Sequence, residues 1–102
     1  MDYQFVLQMS GELAEDLDSL IDLEDRLTEV LTDADVDGHD IGSGQANIFI
    51  LTSDPRGTFL AATPVLQKAN QLDNLTAAYR EPDGEAYTVI WPTGSTKVFK
   101  IL

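Results

Sequence analysis

The run Asp33-Ala34-Asp35-Val36-Asp37-Gly38 places three carboxylates at alternate positions ahead of a glycine. That is how a calcium loop opens, with oxygens converging on one ion and the glycine making the sharp bend. The pattern fails where such a loop closes. Its twelfth position, which should supply a bidentate carboxylate, is Gly44, and the next acid beyond it is Asp54. A polar connector between a helix and a strand is the plainer reading, and no metal site is expected. His39-Asp40 is the only candidate for a general-base pair. Neighbours on a strand point to opposite faces, so Asp40 does not orient the His39 ring, whereas Asp37 and His39 would share a face. An exposed histidine without a catalytic role is expected. Gly42-Ser43-Gly44 has no basic residue beside it and sits between two strand-like runs, which makes it a turn rather than a phosphate cradle. Ser10, Ser19, Ser43, Ser53 and Ser95 lack any nucleophile-elbow context. With no cysteine in the chain, disulfides, thiolate zinc sites and cysteine nucleophiles are excluded. The expectation is a protein that is not an enzyme and carries no cofactor.

A different constellation points to recognition. Asp18, Asp22, Asp25 and Glu29 recur at i, i+4, i+7 and i+11, which on a helix makes one continuous row of carboxylates. Each like-charge neighbour in that row costs an isolated helix a few tenths of a kcal/mol, about 0.2–0.5. Arg26, four residues after Asp22, is the only offset at favourable spacing. A merely solvating face mixes signs more evenly. The formal charge of −12 is distributed in the same one-sided way. Residues 1–54 hold fourteen acids against Arg26, whereas residues 55–102 hold four acids against five bases. Such a field repels phosphate backbones and anionic membranes, so neither nucleic acid nor membrane is an expected partner. A salty cytosol would also favour acids but would acidify both halves, whereas solubility alone stands as an equal alternative to a partner that reads this face.

The elements that position these residues follow from periodicity. At 102 residues with a 43% hydrophobic share, the chain is one domain, residues 1–102, with a single modest core. Tyr3, Phe5, Leu7 and Met9 alternate as a strand, and Ser10-Gly11 ends it. From Leu13 to Leu31 the period becomes helical: Leu13, Leu17, Leu20, Leu27 and Leu31 line one side, and Leu23 and Val30 widen it. Asp16 or Asp18 caps this helix. Val36–Ile41 and Asn47–Leu51 form a hairpin about the glycine turn. Asp54-Pro55 opens a second helix running to about Asn70, with Phe59, Ala62, Leu66 and Ala69 inward and a kink or break expected at Pro64. Leu75–Arg80 and Ala86–Trp91 are strands about Pro82-Asp83-Gly84, where glycine takes a left-handed conformation. Pro92-Thr93-Gly94 turns the chain into a last strand, Lys97–Leu102. That strand reads as core, so the chain is expected to be complete. Neither a signal peptide nor a membrane span is read from the sequence, and a cytoplasmic location is expected.

The order β-α-β-β-α-β-β-β is that of an α+β protein. Its first six elements fit the ferredoxin-like split βαβ sandwich, an antiparallel sheet with two helices on one face, and two extra C-terminal strands extend it. Asp37-Gly38-His39-Asp40-Ile41-Gly42-Ser43-Gly44, then Asn47-Ile48-Phe49-Ile50 and Asp54-Pro55, resembles a group of small bacterial proteins of unassigned function. Some of these are similar to polymorphic-toxin immunity proteins. The likeness covers about a third of the chain and implies no catalytic residue. The expected function is a non-enzymatic, acidic interaction protein of inhibitor or immunity type. It would bind a basic protein through the first helix and the following hairpin, using Asp18, Asp22, Asp25, Glu29, Asp35 and Asp37. The alternative is a small-ligand or regulatory domain. It would use an uncovered sheet face where Tyr87, Val89 and Trp91 share one side of a strand.

Overall fold

The computed structural model describes residues 2–11, 15–94, 99 and 101. Five strands and two helices follow in the order β1 (Tyr3–Ser10), α1 (Leu17–Val30), β2 (Ala34–Gly42), β3 (Gln45–Thr52), α2 (Pro55–Lys68), β4 (Leu75–Arg80) and β5 (Thr88–Trp91). A short 3-10 turn, Leu72–Asn74, precedes β4. The strands form one sheet in the order β2-β3-β1-β4-β5, and every neighbouring pair is antiparallel. The class is therefore α+β, with an antiparallel sheet and two helices. Leu13 and most of the expected last strand, Lys97, Val98, Lys100 and Leu102, lie outside the described residues.

Each element starts where its local chemistry dictates. Asp16 caps α1: its carboxylate accepts from the Ser19 amide at 3.2 Å and from the Ser19 hydroxyl at 2.8 Å. Those two bonds, the hydroxyl first, hold the Asp16 carboxyl below its ordinary pKa, because they favour the charged form. Asp54 does the same for α2, accepting from the Gly57 amide at 3.1 Å with Pro55 at the first helical position. The hairpin turn is tighter than the glycine spacing implies. Gly42 ends β2, and Ser43 and Gly44 alone make the turn, with φ of 52° and 76°. Positive φ at both central residues matches the twist of the flanking strands, and serine bears its share of that strain.

The core is the layer between sheet and helices. Phe5, Leu7 and Met9 of β1, Ala46, Ile48 and Ile50 of β3, and Leu75 and Ala77 of β4 meet Leu20, Leu23, Leu27 and Leu31 from around α1 and Ala62 and Leu66 of α2. The second face of the sheet is not bare either, since Val6 and Ala78 are fully buried. There the Gln8 side-chain amide donates to Asn47 Oδ1 at 3.1 Å.

Several expectations are corrected. Leu17 is 49% exposed and Val30 is 43% exposed, so the apolar stripe of α1 is narrower than its leucines imply. Of the kink or break expected at Pro64, the break is absent, since α2 is continuous from Pro55 to Lys68. Pro64 and Leu60 are both exposed, so solvent can serve the Leu60 carbonyl that Pro64 cannot. Gly84 is not left-handed. It closes a turn in which its amide donates to the Glu81 carbonyl at 2.9 Å. β5 begins at Thr88 rather than Ala86, which leaves Tyr87 outside the strand.

Candidate functional site

The acidic row is laid out by α1. Leu20, Leu23 and Leu27 turn inward, and Asp18, Asp22, Asp25 and Glu29 are all exposed on the opposite side. Arg26 Nε lies 3.0 Å from Asp22 Oδ2 across one helical turn, with both side chains more than half exposed. A pair so open to water contributes little stability. Among the described residues Asp18, Asp25 and Glu29 form no ion pair, and the sign of the surface is unchanged. Asp35 and Asp37 are exposed on β2, the edge strand beyond which no described strand lies.

The segment read as a calcium loop is strand from Ala34 onward. Asp33 precedes it, Asp35 stands opposite Leu51, and Asp37 falls at a register shift between Val36 and Gly38. Among the described residues these three carboxylates join no group of metal-ligating side chains. Calorimetric titration is expected to find no calcium site tighter than about 10⁻⁵ M, the range of complete sensor loops. A tighter site that is lost in Asp35→Asn would reverse that reading.

The same register shift relocates the histidine. Val36 pairs with Ile50, Gly38 with Phe49 and His39 with Ile48. The extra residue in β2 moves His39 onto the helix side, level with buried Ile48, and parts it from the face of Gly38 and Asp40. Asp37 is the residue left without a partner in the register at that shift. His39 itself is not alone. Its Nδ1 lies 3.2 Å from Glu24 Oε2 and 3.3 Å from Oε1. A carboxylate only accepts, so the ring N–H at Nδ1 is the donor. The contact ties α1 to the edge of the sheet, with the Glu24 side chain only 18% exposed. Nothing in the spacing of residues 24 and 39 announces it. Glu24 sits on the flank between the buried leucines and the acidic row, the one weak signal available.

The aromatic platform is dismantled by a second register shift. Ala77 pairs with Trp91 and Ala78 with Val89, so Trp91 and Val89 face opposite sides. Trp91 packs toward the core with its ring 5.7 Å from Phe59, and its Nε1 donates to the Leu72 carbonyl at 3.0 Å. Tyr87 instead lies 4.8 Å from the Phe99 ring, with the Arg80 guanidinium 6.0 Å from its centroid. Tyr87 and Trp91 share no surface.

Two open depressions flank the helices. One, of about 510 Å³, lies between the start of α1 and the end of α2 and is lined by Asp16, Ser19, Asp22, Arg26, Lys68 and Gln71 among others. The other, of about 700 Å³, lies at the opposite ends, between Val30–Ala34 and Thr52–Ala61. No described helix is long and apolar enough to cross a membrane. No protein-family model matches this chain, and neither a curated protein nor a solved structure was found to match it.

Proposed function

We propose that this chain is a non-enzymatic interaction protein that captures a basic protein partner through α1 and the β2–β3 hairpin, as an inhibitor or immunity protein does. One observation carries the reading: Asp18, Asp22, Asp25 and Glu29 form an exposed row on α1, with Asp35 and Asp37 exposed on the adjacent edge strand and Arg26 the only base on α1. A one-sided negative surface speeds encounter with a positive partner and can cover a site that normally takes phosphates. The strand order supports a finer reading of the scaffold. β3 lies between β1 and β2, and β1 between β3 and β4, an order that supports reading the scaffold as a split βαβ sandwich with β5 added at one edge.

The test is capture from a lysate of the source cells, at low and at raised salt. Wild type is run beside the combined Asp18→Asn, Asp22→Asn, Asp25→Asn variant, and bound proteins are identified by mass spectrometry. Wild type is expected to retain a basic protein at low salt. The variant should retain about tenfold less, because removing surface charge chiefly slows association. The variant should fold as well as wild type, since like-charge contacts along one helix are relieved. Identical partner sets, or a wild type that holds nothing basic, would end the acidic-face reading.

A further inference from the structure

β2 is an edge strand of the sheet, paired with β3 alone among the described residues. No described strand pairs with β2 on the side away from β3, so its outer backbone groups have no ladder partner among the described residues. An open edge of this kind is a template for another strand. The bulge divides it, leaving Gly38–Gly42 as the longer run in continuous register with β3. The flank of α1 that carries Glu24 also carries two exposed apolar side chains, Leu17 and Ile21. Leu17, Ile21, Glu24 and Thr28 recur at helical spacing, and Glu24 reaches His39, so this flank of α1 overlooks β2. α1 runs opposite to β2, because the Ala34 amide donates to the Leu31 carbonyl at one end while Glu24 meets His39 further along. Ile21, one turn before Glu24, is thereby set toward the Ile41 end. Ile21 is 38% exposed and Leu17 49%, although both are large and apolar.

The two sides of this edge strand differ in character. His39 and Ile41 pair with Ile48 and Ala46, on the side of the helices. Asp35 and Asp40 pair with Leu51 and Asn47, on the other side. A strand laid along β2 would alternate between these environments, one beneath α1 with Ile41, Ile21 and Leu17 beside the His39–Glu24 contact, and one with Asp35 and Asp40.

We propose that this edge receives an extended segment of the partner by strand addition, a segment in which lysines or arginines alternate with apolar residues. The proposal rests on the acidic-face reading and specifies its geometry. Main-chain hydrogen bonds to β2 hold the segment, its apolar side chains seat under Ile21 and Leu17, and its cations meet Asp35 and Asp40. Edge acids of this sort also keep a second copy of the chain from pairing here, because like charges would face one another. The edge therefore discriminates by charge as well as by shape.

The test uses isotope-labelled protein and three synthetic peptides matched in length to β2. The first alternates lysine and valine. The second has the same composition with lysines and valines in two blocks. The third is the alternating peptide with two adjacent central amides N-methylated, which removes a donor from each of its edges. Binding is read from amide shifts and from hydrogen exchange. The alternating peptide is expected to bind with slowed exchange in Gly38–Gly42, and the methylated one about tenfold more weakly for its lost hydrogen bonds. If all three bind alike, with shifts confined to Asp18–Glu29, the edge proposal is overturned while the acidic-face reading stands. If none binds, both fall. Self-association of the protein through β2 without peptide would overturn it as well, by assigning the edge to a second copy.

Discussion

Truncating Leu27 to alanine is expected to cost about 2–5 kcal/mol of unfolding free energy, the range for a packed leucine. Leu27 is fully buried at the centre of the α1 face and belongs to the same cluster as Phe5, Ile48 and Leu66. Its neighbours are held by a sheet on one side and by α2 on the other, so they cannot collapse fully into the space, and a cavity remains. Against a total of about 5–15 kcal/mol for a domain of this kind, the loss is a large fraction. Leu17→Ala is the internal control. At 49% exposed, Leu17 leaves no closed cavity behind, and its removal should stay within about 1 kcal/mol. Denaturant melts of the two variants measure both. A Leu27→Ala loss below about 1 kcal/mol would mean that the acidic row and the core face of α1 have been assigned to the wrong sides.

Trp91→Ala is expected to cost about 3 kcal/mol, at the lower end of the range for a large aromatic, because the ring is only partly buried. Two losses combine. The ring leaves Phe59, 5.7 Å away, and the Leu72 carbonyl loses the indole N–H that lies 3.0 Å from it. Tyr87→Ala should cost less than Trp91→Ala, because Tyr87 lies outside β5 and meets Phe99 and Arg80 rather than the helix layer. The order of the two values is the informative result. If Trp91→Ala cost under about 1 kcal/mol and Tyr87→Ala cost more, Trp91 would be restored to solvent and the aromatic platform with it.

Much of the scaffold is legible in the chain because it is decided locally. Alternation from Tyr3 to Met9, the helical spacing of Leu20, Leu23 and Leu27, and the caps Asp16 and Asp54 depend only on residues a few positions apart. The acidic row belongs to the same class, since its members share one helix and follow from its period. What sits across the sheet depends instead on register, and register is set by tertiary pairing. One extra residue between Val36 and Gly38 turns His39 toward Glu24, fifteen positions away. One shift opposite Ala77 and Ala78 sends Trp91 into the core and Val89 to the other face. Strict alternation predicts the reverse at both places. A bulge moves one residue without altering composition or periodicity enough to be read, yet it exchanges the faces of everything beyond it. The open edge of β2 is likewise a property of the assembled sheet. No residue of Ala34–Gly42 states that β3 lies on one side and nothing described on the other. Only the order of the strands decides that.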